Sequence, residues 1–271
     1  MRCRGLQVAS SARHGSSRGV PRANAAITWL GHATALLELD GMQLLTDPVI
    51  RDRIGPLVRV GPAVAKETLE RVDIVMLSHL HADHADPRSL RDLGSSIPIL
   101  APAGAGGWLR RHGLHAVREL APGEEVRAGR LRIRATPASH DGRRFPLGPR
   151  VQSVGYVVES SCTTYFAGDT DLFDAMTRMR GSVEVALLPV WGWGRRVGPG
   201  HLDPERAPRA AAMIAPAVAI PVHWGTFALA PPARRPVDPE RPAREFAALT
   251  ARRSPGVDVR LLAPGERTEL W

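Results

Sequence analysis

The segment SHLHADH (78–84) constrains this chain more than any other part of its sequence. Three histidines and one aspartate follow VDIVMLS (72–78), an apolar run typical of a buried strand, and an Asp-Pro helix cap comes directly after them. A turn of this kind can direct the side chains at i and i+2 to one ion and those at i+4 and i+5 to a second ion. Imidazole nitrogen and carboxylate oxygen are ligands that zinc prefers. His79, His81, Asp83 and His84 are therefore candidate metal ligands.

Three later residues extend this candidate site. His140 follows the alternating run RLRIRATPA (130–138), Asp169 ends the run TTYFAGD, and His223 ends a strand expected at 217–223. Each lies just after the C-terminal end of an apolar strand, so all of them can converge on one edge of a sheet. Five histidines and two aspartates suffice for two ions about 3.5–4 Å apart that share a carboxylate. Taken alone, His223 is better explained as a hydrogen-bonded core histidine than as a ligand; the cluster at 78–84 is not.

The order of elements predicts an α/β protein with two mixed sheets packed face to face and helices outside. Three short strands open the ordered part, and strands then alternate with helices. The helices are expected at 86–94, 104–112, 171–180, 204–215 and 240–253, and the later strands at 183–189, 217–223 and 257–263. We expect one domain over 25–271, preceded by a disordered Arg/Ser-rich extension at 1–24. An organelle transit peptide is the alternative for that extension.

The composition limits the partners and the compartment. The net charge is +9, but residues 1–24 carry five arginines and no acid, and Lys66 is the only lysine, so arginine usage explains the charge without nucleic acid. No basic stripe is interleaved with aromatic residues, which make up 5% of the chain. No apolar run approaches the roughly 18 residues needed to span a bilayer. With two cysteines in dissimilar contexts, Cys3 and Cys162, the chain is expected to be reduced and cytoplasmic.

The candidate ligands resemble a known signature. SHLHADH matches the HxHxDH motif of the metallo-β-lactamase superfamily, and ASHDG, AGDTD and PVHWG resemble the motifs that carry its later ligands. The resemblance covers about residues 26–270 and implies a metal-dependent hydrolase with the four-layer αββα sandwich. It implies a first metal held by His79, His81 and His140, a second held by Asp83, His84 and His223, and Asp169 between them. The expected cofactors are two Zn²⁺, with Mn²⁺ or Fe²⁺ as alternatives at the second site.

Finer motifs indicate a branch of this superfamily. WLGHATALLELDG (29–41) and LLTDP (44–48) resemble the branch that contains N-acylphosphatidylethanolamine-hydrolysing phospholipase D and L-ascorbate-6-phosphate lactonase. GHLDPERA (200–207) and HWGTFAL (223–229) resemble the phospholipase side more closely. This resemblance implies cleavage of a phosphodiester by a metal-bridging hydroxide. A lactonase, or another hydrolase of cyclic or acyl esters, is the alternative.

Further residues receive roles in this hypothesis. Asp83 would orient the nucleophile as well as bind metal, and His201 would contact the substrate or protonate the leaving group. The substrate-binding candidates are Arg143 and Arg144 as a phosphate clamp, Trp191 and Trp193 as walls of an apolar pocket, and His32, which would also orient a carboxylate such as Asp47. The simpler alternatives are a solvated arginine pair, a cover for the sandwich edge and a hydrogen-bonded turn residue. The expected partner is a small-molecule or phospholipid substrate, with at most peripheral membrane contact, and the sequence leaves the oligomeric state open.

Overall fold

The computed structural model describes residues 25–144, 148–194, 196–230 and 238–270. The extension expected at 1–24, including Cys3, lies outside the described residues. The helices are α1 (Pro87–Leu93), α2 (Gly106–Arg111), α3 (Ala207–Ile214) and α4 (Arg241–Arg253), with 3₁₀ helices at Lys66–Leu69 and Asp174–Met179. The strands are β1 (Ala26–Gly31), β2 (Thr34–Leu39), β3 (Met42–Thr46), β4 (Arg53–Ile54), β5 (Leu57–Arg59), β6 (Ile74–Met76), β7 (Ile99–Pro102), β8 (Val117–Leu120), β9 (Glu125–Ala128), β10 (Leu131–Arg143), β11 (Arg150–Glu159), β12 (Thr164–Phe166), β13 (Val185–Pro189), β14 (Val218–Val222), β15 (Phe227–Leu229), β16 (Asp258–Val259) and β17 (Arg267–Glu269).

Two seven-stranded mixed sheets form the body of the protein. The first has the order β17-β1-β2-β3-β6-β7-β8 and the second the order β16-β14-β13-β12-β11-β10-β9. A small sheet, β15-β5-β4, lies beside them. The first sheet is parallel from β3 through β8, and the second is parallel from β12 through β14 to β16. The predicted pair of mixed sheets is confirmed.

The core lies between the inner faces of the two sheets. Ile27, Leu37 and Met76 from the first sheet and Tyr156 and Phe166 from the second belong to one continuous buried cluster. These strands read as nearly unbroken apolar runs because sheet strands covered on both faces bury both sets of side chains. The interface is also tied by a hydrogen bond in which the Tyr156 hydroxyl donates to the carbonyl of Leu77 at 2.8 Å.

Helices cover the outer faces and complete the four layers. Leu90 of α1 and Leu109 of α2 pack against Val75 of β6 and Ile99 of β7 in the first sheet. Helices α3 and α4 pack on each other and on β13, β14 and β16 of the second sheet. The α1 helix begins as predicted, because Asp86 accepts a capping hydrogen bond from the backbone N–H of Ser89 at 2.9 Å. The expected αββα sandwich is therefore present.

One strand differs from its prediction in a way that matters for the site. The sequence indicates that the strand preceding His140 ends at residue 138, but β10 continues to Arg143. Its pairing with β11 shifts register between Pro137 and Asp141, so His140 lies in a β-bulge inside the strand. A bulge re-aims a side chain without ending the sheet, which is why it brings His140 to the sheet edge while pairing resumes beyond it.

Two other elements are shorter than predicted. The helix expected at 171–180 is a 3₁₀ helix at Asp174–Met179, and the strand expected at 257–263 pairs only at Asp258–Val259.

Among the described residues, no helix combines the length and the apolar character needed to cross a membrane.

Candidate metal centre

The candidate ligands meet where several parallel strands end. His79 follows β6, Asp169 follows β12 and His223 follows β14. These strands belong to the parallel parts of the two sheets, so their C-terminal ends lie on one edge. The bulge in β10 adds His140. All seven predicted ligands, from turns far apart in the sequence, therefore lie in one cluster.

The backbone is held in unusual conformations around this cluster. Of the five non-glycine residues with positive φ in the described chain, three belong to this cluster or bond directly to it: His32 (φ 54°), Asp47 (φ 32°) and His223 (φ 66°). L-residues occupy this region rarely, and such strain persists where the surroundings fix it and is common at functional sites.

Close approach of the two sheets also requires a glycine. A Cβ on Gly168, whose φ is +60°, would lie 2.4 Å from Cβ of Ser78. The glycine of AGD thus lets Asp169 lie against the turn that carries His79.

The first group of nitrogen atoms comes from His79, His81 and His140. The ligand atoms of the three imidazoles lie within 4.8 Å of one another. Nε2 of His140 is 3.2 Å from Nδ1 of His81. Two nitrogen atoms bound to one tetrahedral zinc at 2.0–2.1 Å are about 3.3–3.4 Å apart, so this spacing suits a shared ion.

The second group comes from His84, His223 and Asp83. Nε2 of His84 lies 3.0 Å from Nε2 of His223. Oδ2 of Asp83 is 3.8 Å from the His84 nitrogen and 3.9 Å from the His223 nitrogen. Two imidazoles and a carboxylate at these separations form a second candidate ion site.

Asp169 lies between the two groups. Its carboxylate is 3.2 Å from Nε2 of His84 and 3.2 Å from Nε2 of His223. It is also 4.0 Å from Nε2 of His79 and 4.0 Å from Nε2 of His140. One buried carboxylate therefore faces both groups, as the predicted bridging role requires.

Hydrogen bonds on the far side of the rings decide which nitrogen atoms face inward. Nδ1–H of His84 donates to Asp47 at 2.7 Å, that of His223 to the carbonyl of Trp191 at 2.7 Å, and that of His140 to the carbonyl of Gly200 at 2.9 Å. Each ring then presents the lone pair of Nε2 to the centre, and partners of this kind orient metal-ligating histidines.

Asp47 has a larger role than the one predicted from the sequence, where it is only a carboxylate that His32 would orient. Its carboxylate accepts from the backbone N–H of Ser78 at 2.7 Å, from the Ser78 hydroxyl at 2.5 Å and from His84. Because the Ser78 hydroxyl donates to Asp47, it accepts from Nδ1–H of His79 at 2.9 Å. Asp47 thereby fixes one histidine in each group. The run LLTDP, which ends a strand at this edge, is the signal that could have indicated it.

The expectation that His32 orients Asp47 is wrong. His32 Nε2 instead lies 3.0 Å from Oδ2 of Asp83, since Ser78 and His84 already occupy the Asp47 carboxylate. His32 is only 1% exposed, so it is not placed to contact a substrate from solvent.

The electrostatics of several histidines favour the neutral, ligating form. Burial lowers the pKa of His81 to about 4 and that of His223 to about 3, with a smaller contribution from neighbouring imidazoles. Burial also lowers the pKa of His79. Nε2 of His79 and Oδ1 of Asp169 are buried without a hydrogen-bond partner among the described residues. Neutral imidazoles with unpartnered inward atoms are the donor set that a divalent metal ion requires.

Three other groups of the centre, His84, Asp83 and Asp169, favour the charged form. Burial opposes charge on His84, but Asp169 and Asp83 outweigh it and raise the pKa of His84 well above its usual value. Burial also opposes charge on Asp83 and Asp169, yet the surrounding imidazoles hold the pKa of both carboxyls well below the usual range. A proton on His84 and a metal cation are thus alternative counter-charges for these carboxylates.

The remaining predicted residues divide into two sets. His201 and Trp193 reach the centre: Nε2 of His201 is 3.4 Å from Oδ2 of Asp169, and the Trp193 indole N–H donates to Oδ2 of Asp83 at 2.9 Å. Trp191 is half-buried and directs its indole N–H to the carbonyl of Gly194. The side chain of Arg143 is exposed.

The predicted phosphate clamp needs a correction at Arg144. Its guanidinium donates to the carbonyls of Leu80, at 2.7 Å, and Ala85, at 2.9 Å. It also stacks on Trp108, with 4.4 Å from the guanidinium carbon to the ring centre. Arg144 therefore braces the turn that carries the ligands, because it satisfies two backbone carbonyls of that turn.

Comparison with known proteins agrees with this geometry. Residues 43–224 match the model of the beta-lactamase superfamily domain. A metal-dependent hydrolase of Methanopyrus kandleri is 34% identical over 90% of this chain and 99% of its own length. An N-acyl-phosphatidylethanolamine-hydrolyzing phospholipase D of Caenorhabditis elegans is 30% identical over 74% of this chain and 64% of its own length. The solved structure of Igni18, a metallo hydrolase of Ignicoccus hospitalis, superposes with a TM-score of 0.68 at 25% identity, covering 92% of this chain and 99% of Igni18. The chain therefore belongs to the beta-lactamase superfamily, among the metal-dependent hydrolases with the metallo-β-lactamase fold.

Proposed function

We propose that this protein is a two-metal hydrolase that cleaves a phosphodiester in a small-molecule or phospholipid substrate. The observation that carries the proposal is the position of Asp169, 3.2 Å from Nε2 of His84 on one side and 4.0 Å from Nε2 of His79 on the other. When bound at such a site, two divalent ions supply a water of lowered pKa as nucleophile and stabilise negative charge on the reacting group. Ligand type makes zinc the default, with manganese or iron as alternatives at the carboxylate-containing second site.

His201 is the candidate proton donor. Its side chain is 23% exposed and lies beside Asp169. Burial lowers the pKa of His201, but its hydrogen bond to Asp169, the charge of that carboxylate and the carbonyls of Gly198 and Pro199 outweigh burial, and the pKa lies above its usual value. A protonated imidazole that solvent and substrate can reach is suited to protonating a leaving oxygen.

The phosphodiester class draws its support from sequence likeness. The motifs around His201 and His223 resemble those of the phospholipase D branch, and a relative of that name is 30% identical. The buried free thiol of Cys162 is compatible with a reducing compartment, so we place the activity in the cytoplasm.

One observation favours hydrolysis of a lactone or another neutral ester as a second candidate. Arg144 is occupied by the carbonyls of Leu80 and Ala85. Arg143 is then the arginine left beside His140 to attract a phosphate. A neutral substrate needs no such cation.

A side-by-side turnover assay of the full chain separates the two candidates. The panel holds an aryl phosphodiester, an N-acylated phosphatidylethanolamine in micelles and a simple lactone, each with zinc or manganese. We expect metal-dependent turnover of the diesters. We also expect kcat/KM to fall by more than about 100-fold in His81→Ala, because loss of a ligand exceeds the 10–100-fold cost of losing the partner of a ligand.

The exposed His115 supplies the matched control, since His115→Ala removes an imidazole outside the described cluster. Turnover that persists after metal removal would contradict a metal-dependent mechanism. Preference for the lactone would assign the protein to the second candidate.

A further inference from the structure

Asp83 is held by two side chains that the proposed chemistry does not use. His32 Nε2 lies 3.0 Å from Oδ2 of Asp83, and the indole N–H of Trp193 donates to the same oxygen at 2.9 Å. A carboxylate that binds a metal ion is ionised, so it only accepts hydrogen bonds. His32 must therefore be the donor, with its proton on Nε2.

The two donors approach from different parts of the fold. His32 lies in the turn between β1 and β2 of the first sheet, whereas Trp193 lies in the loop after β13 of the second. Asp83 itself is in the turn after β6. The hydrogen bonds thus join both sheets to one predicted ligand of the second ion site.

His32 is fixed from several directions. Its backbone N–H donates to the Thr226 hydroxyl at 2.6 Å, and its carbonyl accepts from the Trp29 indole at 2.9 Å and from the backbone N–H of His223 at 2.8 Å. Its ring lies on that of His223, with 3.8 Å between ring centres. A left-handed, fully buried histidine restrained in this way delivers its N–H in one direction only.

We propose that His32 and Trp193 are positioning residues that fix the Asp83 carboxylate through Oδ2, the oxygen that lies 3.8 Å from Nε2 of His84 and 3.9 Å from Nε2 of His223, and so set how Asp83 is presented to the second metal ion. This inference rests on the proposed two-metal function. A carboxylate that accepts from two N–H donors on separate elements cannot rotate freely about its Cβ–Cγ bond, so its direction relative to His84 and His223 is fixed. The pair therefore sets the position and affinity of the second ion, and neither residue needs to touch substrate.

Cobalt(II) titration of the metal-free full chain tests this proposal, because the visible absorption of cobalt reports coordination independently of activity. The variants are His32→Leu, which removes the donor; His32→Gln, which retains an N–H donor at the ε position; and Trp193→Phe, which removes only the indole N–H. We expect wild type to bind two equivalents. His32→Leu and Trp193→Phe should weaken the second equivalent by 10–100-fold and change its spectrum, with the first equivalent unaltered. His32→Gln should restore most of the affinity.

Trp191→Phe is the matched control for the spectrum, since its indole N–H bonds the carbonyl of Gly194 in the same loop and no ligand side chain. Wild-type affinity and spectrum for the second cobalt in both His32→Leu and Trp193→Phe would overturn the proposal. A wild type that binds two cobalt ions but hydrolyses none of the esters would contradict the proposed function alone. A wild type that binds a single ion would overturn both.

A second measurement covers the case in which His32→Leu does not fold. In the metal-free full chain labelled with ¹⁵N-tryptophan, the Trp193 indole signal is identified by its loss in Trp193→Phe. We expect Asp83→Asn to move that signal upfield, because an amide oxygen accepts more weakly than a carboxylate. An unmoved signal would overturn the role of Trp193.

Discussion

At the scale of single residues, four of the five predicted ligand histidines, namely His79, His84, His140 and His223, are oriented by a hydrogen bond on the far side of the ring. Asp47 accepts hydrogen bonds from His84 and Ser78, and the Ser78 hydroxyl in turn accepts one from His79. A change at Asp47 therefore acts on both candidate ion sites, although the side chain is buried and does not face the open side of the cluster. The hydrogen bonds of Asp47 and Ser78 thus fix the orientation of His79 and His84.

Arg144 provides a residue-scale prediction. Replacing it with methionine keeps most of the apolar stem but leaves the carbonyls of Leu80 and Ala85 without their donor. We expect Arg144→Met to lower the free energy of unfolding by about 2 kcal/mol, the cost of an unsatisfied buried group. Chemical denaturation of the metal-free protein measures this change. The exposed Arg143 is the matched control, and Arg143→Met should change the unfolding free energy by less than about 0.5 kcal/mol. Equal effects of the two substitutions would refute the bracing role of Arg144.

At the scale of elements, the site depends on how two turns fit together. The turn after β6 carries His79, His81, Asp83 and His84, and the turn after β12 carries Asp169. Gly168 lets these turns touch, because any Cβ there would overlap Ser78. The same contact lies next to Asp47, so an error in the fit would disturb the hydrogen bonds behind both groups.

Gly168→Ala tests this fit. The substitution adds a Cβ 2.4 Å from that of Ser78 at a residue with φ of +60°. We expect unfolding free energy to fall by about 2–4 kcal/mol, from overpacking and backbone strain together. Gly181→Ala is the control, since Gly181 has φ of +78° with nothing within 4 Å of an added Cβ, and it should cost only about 1 kcal/mol. Thermal or urea unfolding of both variants gives the comparison. Similar losses in the two variants would mean that the contact with Ser78 is unimportant.

At this scale the sequence predicts some features of the fold and site and not others. The order of elements and the resemblance to the metallo-β-lactamase superfamily predict the sandwich. Ligand types at the ends of apolar strands predict the residues that cluster, since parallel strands end on one edge. The bulge at His140 was missed because the alternating pattern of 130–138 gives no sign of the later register shift. The partners of His32, Arg144 and Trp193 were missed because their hydrogen bonds join residues 51, 64 and 110 positions apart, which spacing along the chain does not encode.

At the scale of the whole molecule, metal and protons compete for the same buried groups. In metal-free protein the folded state keeps His81 neutral down to about pH 4 and His223 down to about pH 3, whereas the unfolded chain protonates both near pH 6.5. Below pH 6.5 the unfolded state thus binds more protons, and folding stability falls as pH falls. The raised pKa of His84 acts the other way, since its stabilising effect is complete below pH 6.5 and is lost as pH rises through its folded value.

These opposite pH dependences predict that the free energy of unfolding of the metal-free protein is greatest near pH 6.5. We expect the Tm of metal-free protein to drop by on the order of 5 °C between pH 6.5 and pH 5. Scanning calorimetry across that range in a chelating buffer is the measurement. A Tm that rises on acidification would show that these histidines are not held neutral in the folded protein.

The proposed function depends on Asp169, a buried carboxylate that faces His79 on one side and His84 and His223 on the other and that we expect to lie between two ions. The most direct test is an anomalous difference map from crystals of the full chain grown with zinc or manganese. We expect two peaks about 3.5–4 Å apart, one beside His79, His81 and His140 and the other beside His84 and His223, with Asp169 between them. A single peak, or two peaks on the same side of Asp169, would contradict it.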